Sequence, residues 1–326
     1  MQEYWHERFE ELEEDKNHEA ELFAAAVLVL FSGSIKQIKN HIAAWYGRYV
    51  TNNIATTQDA RRFLSPSERN EFQMTLKTYM AEDVSEKWFM RLERFASRVK
   101  VTRLETLEIE LQHEIEKLFG KYLKDFDTYF FDLYVDQHDH VLFEIAKGVG
   151  KSQVFEKVDM DKLRRLLGEA WAVDGKVYSS RIWDNKVKLV NEIKNVIGQG
   201  CIRGDTCREM TDEIVKRMNV SYKNAERLVK TESAFISSEA EREAYKKFGI
   251  DLYEFIAILD SRTSEICRYM DGKVIPVSQM KVGLNAPPLH CNCRSTTCPY
   301  FKADEAEGTI VDTNMTFEQW RSIFLK

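Results

Sequence analysis

Cys267, His290, Cys291, Cys293 and Cys298 crowd into the last sixty residues of a chain with six cysteines. In a reducing compartment, cysteines clustered beside a histidine suggest metal binding more than disulfides. His290 and Cys293 are close enough in sequence to hold one ion. Cys267 could supply a third ligand across a hairpin, and Cys291 or Cys298 a fourth. Thiolates with one imidazole in a tetrahedral array suit zinc. The spacing is not that of a familiar zinc finger. Free cysteines and a hydrogen-bonded His290 in a small core account for the same residues.

Glu232 is a second candidate. It lies on the apolar stripe Ala225, Leu228, Val229, Phe235, Ile236 and Ala240 of a helix that Ser221 could cap. A carboxylate on an apolar face is costly unless paired or hydrogen-bonded. Its expected partner is Arg262, Arg294 or a metal-site histidine. It reads either as a general base with a raised pKa or, preferably, as an ion pair tying the helix to a small sheet. Asp260, Arg262, Thr263 and Asp271 are polar residues in short connections around Cys267. With Glu232 and Arg294 they are expected to form the polar core of a small module.

Other motifs resolve into structural explanations. Gly148-Val149-Gly150-Lys151-Ser152 lacks the earlier glycine of a phosphate loop and follows no strand, so a helix-ending turn is expected. Arg203-Gly204-Asp205 is expected to be a glycine turn followed by an Asp helix cap. Arg91, Arg94 and Arg98 form one stripe of a helix. They could touch DNA phosphates or an acidic partner, but a solvated face paired with glutamates explains them better.

The elements that position these residues are mostly helical. With 5 prolines and 14 glycines in 326 residues, long helices should dominate. Tyr4, Trp5, Phe9 and Leu12 share a face of a first acidic helix, and residues 19–49 could form one long helix. Ser65-Pro66-Ser67-Glu68 is a helix start. Helical spacing recurs over residues 85–119 and from Ile182 to Ile197, where Gly198-Gln199-Gly200 should end the helix. After Gly249 the pattern changes. Residues 253–259 and 273–277 are strand candidates, residues 263–270 a helical turn, and Asp271-Gly272 a turn with a left-handed exit. Pro287-Pro288 forces an extended approach to His290. Residues 303–315 read as a linker. Thr316 and Gln319 form a capping box for a last helix, too short to stand alone, with Phe317, Trp320, Ile323 and Phe324 on its apolar face.

The net charge of −6 offers no global basic face for DNA or an anionic membrane. The run Leu22–Phe31 is too short to span a bilayer, which needs about 20 apolar residues, and reads as a buried helix. No membrane partner is expected, and a cytoplasmic origin is.

The segment from Tyr222 to Phe301 resembles the phage Mu F-like head-morphogenesis domain. The elements that carry the likeness are Lys230-Thr231-Glu232, Asp260-Ser261-Arg262-Thr263, Cys267, Asp271-Gly272, and the run from Pro287-Pro288 through His290, Cys291 and Cys293 to Arg294. Their order and spacing carry it together. The opening Tyr4-Trp5-x-x-Arg8 looks like the front of minor head proteins from phages of Gram-positive hosts. Lys230 replaces the family's usual arginine, removing a planar bidentate donor for Glu232. Many relatives carry further cysteines where Ser264 and Ser295 stand here. If the family's cysteines form a metal cluster, this chain completes it with Cys291 or Cys298, or has lost it.

The resemblance implies a low-copy structural head component, not an enzyme, encoded beside the portal protein and acting in capsid assembly with portal and capsid or scaffold proteins. It would be made in the host cytoplasm and reside in the virion, in the capsid interior or at the portal vertex. Some relatives are thought to associate with packaged phage DNA or to leave with it. The expected fold is α+β: a helical region 1–220, a small mixed Mu F-like module 221–302, and a linker with a C-terminal helix, 303–326. The rival reading is a metal-dependent hydrolase or nuclease, with Glu232 as base beside His290 and a cysteine-bound zinc.

Overall fold

The computed structural model describes residues 2–301, 309–310 and 314–326. Among these it is 70% helical, with a small antiparallel sheet, a mainly helical α+β fold. In chain order the elements are α1 (Gln2–Tyr49), α2 (Thr57–Arg61), α3 (Pro66–Met80), α4 (Glu86–Ala96), α5 (Arg103–Val149), β1 (Lys151–Ser152), α6 (Met160–Leu167) and α7 (Tyr178–Arg203). They continue as α8 (Cys207–Phe248), β2 (Leu252–Ile256), α9 (Glu265–Met270), β3 (Val274–Pro276), β4 (Thr296–Tyr300), β5 (Thr309–Ile310) and α10 (Phe317–Phe324). Three helices, α1, α5 and α8, exceed forty residues. Such lengths follow from the scarcity of glycine and proline within them.

The helices override several local stop signals. α8 runs unbroken through Ser221, so that serine does not cap it. Its hydroxyl instead bonds Asn185 at 3.1 Å, a side-chain tie to α7. α7 likewise passes through Gly198 and Gly200. A Cβ on Gly200 would lie 2.9 Å from Met210 Cε, so the glycine there serves close packing. The cap of α8 is Thr206, whose hydroxyl and backbone exchange bonds with Glu209. Asp205, the expected cap, is bonded by the Arg203 guanidinium instead. Residues 22–31 are not a fully buried helix. Ala24, Val27 and Phe31 face inward, while Leu22, Leu28 and Val29 are exposed. By length and composition α1 could cross a membrane, a test that core helices also pass.

The chain divides into two compact units, each assembled from non-contiguous segments. One unit comprises residues 25–125 and 179–226. A cluster of Phe72, Leu76, Tyr79, Trp88, Leu92, Val101 and Ile109 forms a core there. Ser65 and Glu68 form the expected capping box of α3. His113 is fully buried, accepts the Trp88 indole N–H at 3.1 Å and stacks on Tyr79. Burial lowers its pKa, so it is kept neutral.

The other unit comprises residues 1–24, 126–178 and 227–326. Its sheet has the order β3-β2-β4, both pairings antiparallel. The register sets Glu254 opposite Cys298 and Phe255 opposite Thr297. The first turns of α1 belong to this unit. Trp5 and Phe9 are buried, against Phe301 and Tyr245 respectively. Gly148 faces the Trp5 ring so closely that a Cβ would sit 2.3 Å from it, and Gly150 ends α5 at φ +72°. Left-handed backbone of that kind suits glycine, and here it gives the expected helix-ending turn.

The C-terminal helix docks on its own chain. α10 carries the Thr316–Gln319 capping box, and fully buried Trp320 donates to Ser152 Oγ and packs on Phe143 and Phe155. Of the expected linker 303–315, residues 303–308 and 311–313 lie outside the described residues. Within it, Thr309–Ile310 pairs with Lys151–Ser152.

Candidate metal centre

The segments between β2 and β4 build the site. Residues 258–264 leave the sheet as a loop knotted on Asp260. Its carboxylate accepts from Arg262 N at 2.8 Å and from Arg294 Nη2 at 2.7 Å. The Arg294 guanidinium holds the Asp260 carboxyl well below the usual range. Thr263 Oγ1 accepts from Asp260 N and donates to the Ile258 carbonyl. Ser264, one residue beyond the expected start, then caps α9 by accepting from Cys267 N at 3.3 Å. Asp271 ends α9 and accepts from Ala257 N at 2.8 Å, while Gly272 takes the expected left-handed exit at φ +72°. Asp260, Arg262, Thr263 and Arg294 are therefore joined by hydrogen bonds, while Asp271 ties the end of α9 to Ala257.

This scaffold brings Cys267, His290 and Cys293 together. Cys267 Sγ lies 3.2 Å from His290 Nε2 and 3.6 Å from Cys293 Sγ. Their donor atoms all fall within 4.8 Å of one another. Both cysteines are buried among Phe255, Ala257 and Met270. His290 Nδ1 lies 2.9 Å from the Cys291 carbonyl. A proton on Nδ1 satisfies that carbonyl and leaves the Nε2 lone pair facing the sulfurs, the tautomer a metal ligand needs. A sulfur–sulfur hydrogen bond links Cys267 and Cys293, and the Ser264 and Ser295 side chains add to the stabilisation of the Cys267 sulfur. Cys267 is thereby lowered toward thiolate, and Cys293 is raised. The two serines thus stand around the same sulfur. One imidazole, two sulfurs and a nearby hydroxyl form a donor set that could hold a tetrahedral ion, with one position left to a serine or to water.

The other two cysteines considered as ligands lie elsewhere. Cys291 is exposed. Cys298 is buried on β4, where the register sets it opposite Glu254. Burial and the Glu254 and Glu241 carboxylates push its thiol up.

Glu232 is buried, and its carboxylate accepts the Trp171 indole N–H at 2.9 Å. Arg262 and Arg294, named as its partners from sequence, bond Asp260 instead. Asp260 is two residues from Arg262 in sequence, a local partner that Glu232 on α8 is not. The adjacent Thr231 accepts from Asn292 N, docking the cysteine loop on α8. Lys230 Nζ lies 3.9 Å from Glu21 on α1. In the other unit, Arg98 pairs with Glu105 at 2.8 Å and lies over Phe95. Arg91 lies over Trp88, and Arg94 is exposed.

Sequence reasoning missed a buried charge cluster. Glu13 and Lys16 pair on α1, both almost wholly buried. Glu241 on α8 accepts from Thr297 at 2.8 Å, Thr296 at 3.3 Å and Gln137 at 3.1 Å. Burial pushes its carboxyl up to about 7. The available signal was Glu241 itself, one residue from Ala240 on the apolar stripe, as Glu232 is near Phe235.

Residues 191–298 match the family described as Phage Mu protein F like protein. The match begins within α7, some thirty residues before the segment recognised by motif. Across 219 residues the chain is 24% identical to the minor head protein GP7 of Bacillus phage SPP1, covering 61% of this chain and 69% of that protein. Across 111 residues it is 28% identical to the NAD(+)–arginine ADP-ribosyltransferase EFV of Enterococcus faecalis. That likeness covers 33% of this chain and only 23% of the enzyme. No solved structure matches the chain. Residues 191–298 are thus similar to the phage Mu protein F like family, a match that covers about a third of the chain.

Proposed function

We propose that this chain is a structural minor head protein of a tailed phage, acting in capsid assembly at or near the portal. The observation that carries this reading is the extent of its likeness to the SPP1 minor head protein. It spans 219 residues, about twice the 108 positions of the family region, and so reaches well beyond the Mu F-like part. The polar residues of the module support the same reading, because they tie one loop to another. A zinc ion held by Cys267, His290 and Cys293 would add to these ties. Structural metal sites contribute folding energy directly.

The partners proposed are the portal protein and capsid or scaffold proteins, in the virion at the capsid interior or portal vertex, after assembly in the host cytoplasm. Association with packaged DNA is a weaker component. The net charge is −6 and Arg98 is paired with Glu105, whereas DNA binding draws on unpaired cations that displace counterions. The hydrolase alternative needs a base beside the metal. Glu232 is not among the donors that converge with Cys267, His290 and Cys293, and it accepts the Trp171 N–H.

The test is genetic. In a phage carrying this gene, a stop codon is complemented by the full chain or by one lacking residues 222–302. Loss of infectious particles with the deletion, together with the full chain's presence in purified heads, is expected. Normal yields of infectious particles from the deletion would sink the reading.

A further inference from the structure

The structure points to a second metal site, for zinc or a similar divalent cation, formed by His6, Glu254 and Cys298. We infer it from a meeting of three elements of one compact unit. His6 lies on α1, Glu254 on β2 and Cys298 on β4. Their donor atoms, a ring nitrogen, a carboxylate oxygen and a sulfur, lie within 4.8 Å of one another. The register fixes two of them, since Glu254 and Cys298 are direct cross-strand partners. The helix supplies the others. Gln2 and His6 are four residues apart and share a face. The Gln2 amide reaches both Glu254 Oε2, at 2.6 Å, and Cys298 Sγ, at 3.3 Å.

The polar atoms there are poorly served without an ion. His6 Nε2 is buried and, among the described residues, has no hydrogen-bond partner. It lies 3.2 Å from Glu254 Oε2, an ion pair when the imidazole is protonated, but is not aligned for a hydrogen bond. Glu254 is a buried carboxylate facing a histidine, an amide and a thiol. Buried carboxylates without a well-placed cation are costly. Zinc binds S, N and O donors at roughly 2.0–2.3 Å, which places tetrahedral donors roughly 3.3–3.8 Å apart. The His6–Glu254 separation already approaches that range, and the sulfur needs a shift on the order of 1 Å.

Binding replaces the Cys298 S–H bond with an S–Zn bond and releases the proton to solvent. Thiolate and carboxylate then balance the ion's charge, leaving a neutral buried site. Rotating the Gln2 amide exchanges its nitrogen for Oε1, an oxygen that can serve as fourth donor; otherwise water completes the shell. The ion would staple the start of α1 to the two strands that carry the Mu F-like module. The first cluster, Cys267 with His290 and Cys293, shares no residue with this site.

The purified full-length chain is titrated with zinc alone, and bound metal is counted per chain. His6→Gln and Cys298→Ser should each lower the count by one ion, or weaken that ion's binding at least about tenfold, since even a second-shell change commonly costs that much. His6 is only partly buried on its helix, so its variant should fold, checked by circular dichroism. In a Cys267→Ser/Cys293→Ser chain, cobalt should still give a thiolate charge-transfer band, which Cys298→Ser then abolishes. Zinc binding unchanged by His6→Gln and Cys298→Ser overturns the proposal. So does a full-length chain that takes up no zinc.

Discussion

The two candidate metal-ligand clusters of this compact unit are built in opposite ways. Cys267, His290 and Cys293 lie within 27 consecutive residues and are gathered by short loops, each fixed by its own hydrogen bonds. His6, Glu254 and Cys298 come from the two ends of the chain and meet only because α1 lies along a sheet. Strand β2 serves both. Phe255 packs with Cys267 and Cys293, while its neighbour Glu254 lies opposite Cys298. Successive strand residues point to opposite faces, so one short strand can floor one cluster and furnish a ligand to another. Local construction lets a motif announce itself; construction by contact between distant segments does not.

The largest expected effect comes from removing the floor of the local cluster. Phe255 is fully buried, so Phe255→Ala should cost about 3–5 kcal/mol in urea unfolding and loosen the Cys267–Cys293 approach. A loss below about 1 kcal/mol would show that the loops hold that cluster without the sheet.

The second effect tests the strand that carries Cys298. Glu241 bonds Thr296 and Thr297 on β4, and burial raises its carboxyl from 4.5 to about 7. A raised folded-state pKa means that the folded chain holds the proton more tightly than the unfolded chain. Stability should therefore fall as pH rises from about 4.5 to 7 and stay lower above that range. Glu241→Gln should remove this fall. It should be more stabilising near pH 8 than near pH 4. Equal effects at both values would refute the assignment.

Adding a thiolate to the local cluster should sharpen the contrast. Ser295 is buried beside Cys267, so Ser295→Cys should raise the affinity of that cluster for zinc by about tenfold or more and leave a His6-dependent ion untouched. Smaller still is Ser264→Ala, which removes the α9 cap and should cost about 1 kcal/mol. The least effect is expected for Asp260→Ala. Its latch to Arg294 is partly exposed, and the variant should leave the urea unfolding midpoint nearly unchanged.

How much was legible follows the same division. The capping boxes at Ser65 and Thr316, a strand expected at 253–259 and found at 252–256, the turn at Asp271-Gly272 and the approach of Cys267 to His290 and Cys293 all rest on residues near one another in sequence. Local backbone chemistry decides such features. Ser221 and Gly198 misled as helix boundaries because a long packed helix outweighs the preference of one residue, a cost of about 1 kcal/mol. Glu232 was correctly expected to be buried and bonded, but its Trp171 partner lies 61 residues away in sequence and could not be named.

By itself the sequence determined the mainly helical α+β character, the capping boxes at Ser65 and Thr316, and the order of motifs that resembles the Mu F-like family. Only the tertiary structure decided which charges share the interior, as with Glu13, Lys16 and Glu241, and that Cys298 turns toward His6 instead of His290. The physical reason is range. A cap or turn is satisfied within a few residues, whereas the partner of a buried carboxylate or thiol is set by which helix face the folded chain presses against which strand.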